Sequence, residues 1–143
     1  MPRDGSLIPV WLARPKVLLL SAAHPPADIR VVMKQGASLV EAGYAVSHLC
    51  PAPASGDAPA LVAGVAISTF PARRGPLRRL LGIPRLAMRA AAQRAEVIHA
   101  SEPVAWAAAL LAGWWSGSRV ILDVHEHYPS RLDAKAPALP DAP

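Results

Sequence analysis

Short, continuous apolar runs alternate with longer segments of helical periodicity along most of this chain. The runs cover residues 16–21, 44–49, 65–70, 96–100 and 119–123. Runs of this length and composition are typical of strands that are buried on both faces of a sheet. They therefore predict five strands in the interior of a layered domain.

Three segments between these runs have helical signals. In residues 29–42 apolar and small side chains recur at helical spacing, Asp28 stands where an N-cap belongs, and Gly43 stands where a helix is commonly ended. Residues 84–95 form the second candidate. The third covers residues 103–115 and begins with Pro103, a residue favoured in the first turn of a helix.

Strands that alternate with helices in this order predict a parallel sheet with right-handed crossovers. The expected fold class is therefore α/β, a doubly wound sheet with helices on both faces. A length of 143 residues suits one domain, which we place at residues 16–130. Residues 1–15 are expected to form an irregular leader. Residues 131–143 are rich in Pro, Ala and Asp, and we expect them to be disordered.

The cysteine content and the lack of targeting or membrane-spanning segments in the sequence predict where in the cell the protein acts. The lone cysteine, Cys50, excludes an internal disulfide framework and fits a reducing compartment. The N-terminus lacks a secretory pattern. The longest uncharged helical run, residues 103–118, is too short and interrupted to span a bilayer of about 30 Å. We expect a cytoplasmic protein that is soluble or peripheral at the inner face of the membrane.

Positive charge is concentrated in the middle of the chain. The net charge is +5, and residues 58–95 contain seven arginines and no acidic residue. A helix here would carry arginines on one face and leucines opposite: Arg74, Arg78, Arg85 and Arg89 against Leu77, Leu80, Leu81 and Leu86. The stretch from Arg73 to Arg94 could contact anionic lipid. The favoured alternative is a solvated helix face whose leucines pack on the sheet. Phe70 is the only aromatic residue nearby, so nucleic acid is not an expected partner.

Polar residues follow three of the predicted strands. Ligands of open parallel sheets bind beyond the carboxyl ends of the strands. The candidates there are His24, Asp28 and Arg30 after the first strand, His99, Ser101 and Glu102 after the fourth, and Asp123, His125, Glu126, His127 and Tyr128 after the fifth. Any one of them alone could serve in a turn, a cap or the core. Three such groups at one sheet edge favour a cleft.

Several kinds of site are not encoded in their usual form. Neither a G-x-G-x-x-G turn nor a P-loop is present. His125 and His127 would share one face of an extended segment and need a third ligand from elsewhere, so no metal is expected. Ser21 and Ser101 end strands without a G-x-S-x-G elbow.

Three motifs, in order, resemble family 4 glycosyltransferases. His24-Pro-Pro, followed by Asp28-Ile-Arg30 and by SLVEAGYAV at residues 38–46, resembles the opening of that family. AEVIHASEP at residues 95–103 is similar to its "aDviHahdp" turn. VILDVHEHYP at residues 120–129 looks like its "vyDsHEyyp" loop. The resemblance covers residues 16–129.

The resemblance implies the GT-B architecture, in which two Rossmann-like domains face a cleft. The N-terminal domain holds mainly the acceptor, here a sugar or a lipid-linked acceptor. The C-terminal domain binds the nucleotide-sugar and carries two glutamates that contact it. Transfer retains the anomeric configuration and usually needs no metal. No tightly bound cofactor is expected, and the nucleotide-sugar donor would need the C-terminal domain.

By position, the resemblance assigns roles to residues of this chain. His125 and His99 would touch the transferred sugar or the acceptor hydroxyl. The substrate-binding positions would be Asp28, Arg30, Glu102 and Glu126. Asp123 is expected to be structural, because a carboxylate ending a buried strand can accept backbone N–H bonds from the following turn.

The sequence also departs from the family pattern. Ser101-Glu102 stands where His-Asp is more usual, and His24-Pro-Pro replaces a Gly-rich loop. The chain stops after the fifth predicted strand, so we expect a truncated enzyme, as a fragment or one polypeptide of a split enzyme, inactive without its donor domain or partner chain. The alternative is a non-catalytic α/β module that binds a sugar, a lipid head group or a protein partner.

Overall fold

The computed structural model describes residues 14–124. Residues 1–13 and 125–143 lie outside this range. The predicted leader (but for its last two residues), the predicted disordered tail, and the candidate residues His125 and Glu126 therefore fall outside the described part of the chain.

Six strands form one sheet. They are β1 (Lys16–Leu20), β2 (Ala45–Pro51), β3 (Leu61–Val62), β4 (Val65–Phe70), β5 (Val97–Ala100) and β6 (Arg119–Leu122). Their order is β3-β4-β2-β1-β5-β6, and every pair is parallel except β3 with β4. All five predicted strands are present, so the α/β prediction is confirmed.

The two-residue strand β3 was not predicted, and it makes the sheet mostly rather than wholly parallel. It pairs with β4 through a tight hairpin in which Ala63 and Gly64 both have positive φ, 49° and 79°. Such a loop matches the twist of antiparallel strands. A strand this short carries no periodicity that a sequence pattern could detect.

The helix between β1 and β2 has two parts. Ile29–Gly36 is π-helical and continues into α1 (Ala37–Glu41). Asp28 caps its start: Oδ1 accepts the backbone N–H of Arg30 at 2.9 Å and of Val31 at 2.8 Å. The predicted N-cap is confirmed.

Helices cover both faces of the sheet. On one face, Leu18, Leu20 and Ile98 pack against α3 (Ile83–Ala92) and α4 (Pro103–Ser116). On the other face, Leu19 and its neighbours pack against Val31 and Val32 of the π-helical segment. Each fully buried Leu, Ile or Val contributes roughly 1.5–3 kcal/mol to stability. The two cores therefore fix the carboxyl edge of the sheet from both sides.

Small side chains let α3 and α4 approach each other closely. Apart from Leu86 of α3, the buried residues of the two helices are all alanines: Ala87 and Ala90 on α3, and Ala105, Ala108, Ala109 and Ala112 on α4. Trp106 is half-buried, and its Nε1 donates to the Ala100 carbonyl at 3.1 Å. At the far end of α4, Trp114 and Trp115 are 81% and 46% exposed. No helix within residues 14–124 is long and apolar enough to cross a membrane.

The arginine-rich segment does not form one amphipathic helix. Gly82 separates α2 (Pro76–Leu81) from α3. The expectation that the leucines pack on the sheet is confirmed for Leu86 of α3, which is 6% exposed. It is wrong for α2, whose three leucines are exposed: Leu77, Leu80 and Leu81. The apolar side of α2 therefore does not pack on the core.

Candidate functional site

The carboxyl ends of β1, β5 and β6 lie side by side. In the parallel register Leu20 pairs with Ala100, and Ala100 pairs with Leu122. Asp123 stays in this register, because its backbone N–H donates to the Ala100 carbonyl at 2.8 Å. The loops after these three strands therefore meet, as the strand pattern predicted.

Glu102 joins the end of β5 to the loop after β1. It occupies the N-cap position of α4, but its side chain does not cap that helix. Its Oε1 accepts instead the backbone N–H of Ala22 and, at 2.7 Å, that of Ala23. Its Oε2 lies 3.7 Å from Nε2 of His24. Glu102 thus fixes the shape of the loop that carries His24.

His24 lies between two carboxylates. Its Nδ1 is 3.0 Å from Oδ2 of Asp28, four residues along the chain, and its Nε2 faces Glu102. Burial raises the pKa of Asp28, but hydrogen bonds from the Val31 N–H and from His24 outweigh it, so the pKa lies below its ordinary value. Asp28 is therefore an ionised partner that can hold the imidazole in one orientation.

Arg30 and Asp123 connect the π-helical segment to the end of β6. Arg30 Nη1 donates to Asp123 Oδ2 at 2.5 Å, and Gln35 Nε2 lies 3.4 Å from the same oxygen. Burial raises the pKa of Asp123, but the Arg30 and Gln35 hydrogen bonds and nearby positive charge bring it below its ordinary value. The turn expected to donate to Asp123 lies outside the described residues, so its predicted structural role stays a prediction.

We call His24, Asp28, Arg30, Glu102 and Asp123 the loop cluster. The structure brings together four of the predicted site residues, and adds His24, which was a candidate without an assigned role. The local signal for His24 was its i, i+4 relation to Asp28. Its contact with Glu102, 78 positions away, has no local signal.

His99 does not belong to the loop cluster. It lies within β5, one residue before the strand ends, on the sheet face that the π-helical segment covers, and it borders a groove with Gln35, Leu39 and Ile121. Burial lowers the pKa of His99, against a raising effect of Asp123 and with a further lowering effect of Arg30. Its Nδ1 is buried with no hydrogen-bond partner in residues 14–124.

His48 is a buried histidine that the sequence patterns did not single out. It lies on β2, opposite Leu19 of β1, and is 0% exposed. Burial lowers its pKa to about 4, while the Pro26 carbonyl and the charge of Asp28 act in the opposite direction and the charge of His24 lowers it further. His48 is thus a neutral imidazole beneath the loop that carries His24. A histidine inside an alternating strand resembles any surface position in sequence.

The chemistry of the loop cluster suits a neutral, hydroxyl-rich ligand. The two side chains of the cluster that can carry a positive charge, His24 and Arg30, each lie beside a carboxylate. An imidazole oriented through Nδ1 can exchange a proton with a hydroxyl through Nε2, and a carboxylate accepts hydroxyl hydrogen bonds. Within residues 14–124, no three His, Cys, Asp or Glu side chains are grouped so that they could hold a metal ion.

A comparison with protein families identifies the family of this chain. A family model described as a glycosyl transferase 4-like domain matches residues 29–141, well over half of the chain. Comparisons with curated proteins and with solved structures gave no match. The matched range contains the helix capped by Asp28 and the strand ends that carry Glu102 and Asp123. The chain belongs to the glycosyltransferase 4-like family, as an N-terminal-type Rossmann-like domain of the GT-B class.

Proposed function

We propose that this chain is the acceptor-side domain of a retaining glycosyltransferase, which transfers a sugar from a nucleotide-sugar to a hydroxyl of a glycan or lipid-linked acceptor. The observation that carries the proposal is the His24 imidazole between Asp28 and Glu102, at the carboxyl edge of a family 4 sheet. The donor would be bound by a second Rossmann-like domain across the cleft.

In this proposal the loop cluster positions the acceptor. Asp28 holds the His24 ring, so that Nε2 can bond the acceptor hydroxyl as transfer proceeds. Glu102 sets the distance of His24 from the end of β5, since it binds the backbone of the loop. Orienting a hydroxyl in this way lowers the entropic cost of the encounter with the donor. By the resemblance, His125 and Glu126 would also contact the sugar or the acceptor, and His99 would contact the sugar from the adjoining groove.

The test is ligand binding to the chain in solution. Saturation-transfer NMR with monosaccharides and disaccharides should give signals for a subset, and His24→Gln and Glu102→Gln should weaken binding at least about tenfold, the free-energy equivalent of one good hydrogen bond. Asp57→Asn is the matched control, because Asp57 is an exposed carboxylate in the loop between β2 and β3 and is not part of the loop cluster. Its binding should equal that of the parent.

Two results would count against the acceptor assignment. One is sugar binding that all three variants retain, because the loop cluster would then not be the site. The other is saturable binding of a nucleotide-sugar through its nucleotide, because this would give the domain the donor role.

We also propose that α2 rests on an anionic membrane surface at the cytoplasmic face. The support is the exposure of Leu77, Leu80 and Leu81 beside the exposed Arg74 and Arg78. Such a helix can place leucines among the acyl chains and arginines at the head groups. This arrangement would bring a lipid-linked acceptor to the cleft.

Vesicle sedimentation tests the membrane proposal. Leu77→Ser/Leu81→Ser should weaken binding to anionic vesicles at least about tenfold, since each buried leucine contributes roughly 1.5–3 kcal/mol. Leu110→Ser is the control, because Leu110 is a similarly exposed leucine of α4. Equal binding by the parent and the α2 variant would exclude this surface as the contact.

A further inference from the structure

A second polar region lies at the same edge of the sheet, beyond the loop cluster. Of the seven arginines in residues 58–95, four line one cavity. They are Arg73, Arg79, Arg85 and Arg89. We call this cavity the arginine pocket. Arg74, Arg78 and Arg94 do not line it.

The pocket has an apolar floor and a cationic rim. Its floor includes Ala22 after β1, Phe70 at the end of β4, Leu86 of α3 and Val104 in the first turn of α4. The cavity holds about 160 Å³. That is room for several water molecules, and hence for a phosphate or pyrophosphate group in their place.

The arginine side chains are held by the backbone around them. Arg79 Nε donates to the Arg73 carbonyl at 3.3 Å, and Arg89 Nη1 donates to the Thr69 carbonyl at 3.4 Å. Arg73 folds across Gly82, where a Cβ would stand 3.0 Å from Arg73 Cδ. Arg85 lies one helical turn before Arg89 on α3. The guanidinium groups are thus collected around one space.

Among residues 14–124, no carboxylate forms an ion pair with the four arginines of the pocket. The ion pairs within that range involve His24 and Arg30 instead. The first turn of α4 also contributes Val104 to the lining of the pocket. Like charges gathered in this way repel one another until an anion binds between them.

We propose that the arginine pocket binds a phosphate or pyrophosphate group carried by the acceptor. The proposal rests on the proposed acceptor role and specifies the class of acceptor. Guanidinium groups bind phosphate oxygens in a bidentate fashion, which suits this rim. Ala22 lines the pocket and also donates to Glu102, so the phosphate would lie next to the loop cluster. The phosphate group could belong to a lipid-linked acceptor or to a soluble phosphorylated acceptor. The exposed leucines of α2 would contact the lipid of a lipid-linked acceptor.

Calorimetric titration of the chain with inorganic pyrophosphate tests the pocket. The double variant Arg85→Gln/Arg89→Gln should lose at least about tenfold in affinity, because two charge-assisted contacts are removed. The control Arg74→Gln/Arg78→Gln removes the same charge outside the pocket and should change affinity less than about threefold. Gly82→Ala should weaken binding by displacing Arg73, with all charges kept.

Three results would overturn the proposal. Equal losses in the two double variants would mean a diffuse basic surface. The absence of saturable binding at millimolar pyrophosphate would mean that no site exists. Tighter binding of a single-stranded RNA oligonucleotide, dependent on Arg74 and Arg78 as well, would assign the segment to nucleic acid.

A comparison of ligands separates the two sources of the phosphate. Geranyl pyrophosphate binding at least about tenfold more tightly than inorganic pyrophosphate would assign a lipid-linked acceptor, because the prenyl chain gains the apolar floor and the α2 leucines. Equal affinities, with a soluble sugar phosphate competing, would assign a soluble acceptor. Glu102→Gln serves as the internal control: loss of sugar binding alone, with pyrophosphate binding intact, distinguishes failure at the loop cluster from failure here.

Discussion

Two polar regions at one edge of the sheet differ in whether their positive side chains are paired with carboxylates. In the loop cluster, His24 and Arg30 each lie within 4 Å of a carboxylate, and Asp28, Glu102 and Asp123 also tie together separate elements. In the arginine pocket, four guanidinium groups gather with no carboxylate partner among the described residues. The charges of the loop cluster therefore stabilise the structure, and this region favours a neutral ligand. The charges of the arginine pocket are available to bind an anion.

The largest expected effect is a loss of folding stability around the loop cluster when the pH is lowered. His48 is buried beneath the loop cluster with a pKa of about 4, and the unfolded chain should titrate near the ordinary value of about 6.5. Between these values the unfolded state binds the proton and the folded state does not. Stability present above about pH 6.5 should therefore fall by on the order of 3 kcal/mol as the pH drops to about 4.

Urea unfolding across this pH window measures the effect. His48→Gln should reduce the slope and leave the part that comes from the lowered pKa of His99, whereas Arg85→Gln should retain the parental slope. The depressed pKa values of Asp28 and Asp123 add a further loss only below the ordinary carboxyl range. A His48→Gln variant with the parental slope would show that His48 is not the group responsible.

Removal of Glu102 should have the next largest effect. Glu102→Ala leaves the backbone N–H groups of Ala22 and Ala23 without their acceptor, which should cost about 2 kcal/mol of unfolding free energy. Glu102→Gln keeps an acceptor oxygen and should cost less than about 1 kcal/mol. Chemical denaturation of both variants provides the measurement, and equal losses would mean that the charge rather than the acceptor matters.

The Arg30–Asp123 pair should contribute less. A double-mutant cycle with Arg30→Gln and Asp123→Asn should give a coupling of about 1 kcal/mol, near the upper end for pairs partly screened by water. Asp123→Ala alone should cost roughly 1–3 kcal/mol, because the partly buried Arg30 and Gln35 side chains lose their acceptor. Arg119→Gln, an exposed arginine of β6, is the control and should not couple to Asp123. A coupling near zero would show that the Arg30–Asp123 pair does not stabilise the fold.

The smallest effect should come from the arginine pocket. Arg85→Gln should leave the free energy of unfolding within about 0.5 kcal/mol of the parent, since no folded-state partner is lost among the described residues. The same variant should raise stability slightly relative to the parent at low salt, where the arginines repel most strongly. Thermal melting at two salt concentrations tests this, and a clear destabilisation would reveal a structural role for Arg85.

Local patterns predicted the parts of this molecule that depend on neighbouring residues. The five long strands and the Asp28 cap follow from apolar runs and from contacts two or three positions apart. The sequence pattern predicts a helix from Ile29 but not its π-helical form, because a period slightly longer than 3.6 residues is not distinguishable over eight positions. Glu102 binding the Ala22 backbone joins residues 80 positions apart, so only the folded sheet reveals it.

The arginine pocket likewise could not be predicted from local sequence patterns alone. Helical periodicity grouped Arg74 and Arg78 with Arg85 and Arg89, on the assumption of one continuous helix. In the structure Arg73, which precedes α2, and Arg79 of α2 line the pocket with Arg85 and Arg89 of α3, whereas Arg74 and Arg78 do not. The density of positive charge is evident from the sequence, whereas the set of arginines that converge on one pocket is evident only from the folded structure.

Chemical-shift mapping of the labelled chain with two ligands in turn tests the central claim most directly. An acceptor sugar should shift the amides of residues 22–31 and 101–102, around the His24 imidazole and Glu102. Inorganic pyrophosphate should shift those of residues 70–89, and neither ligand should displace the other. Sugar shifts confined to the arginine pocket, or absent from the loop cluster, would contradict the assignment of this domain as the acceptor side of a glycosyltransferase.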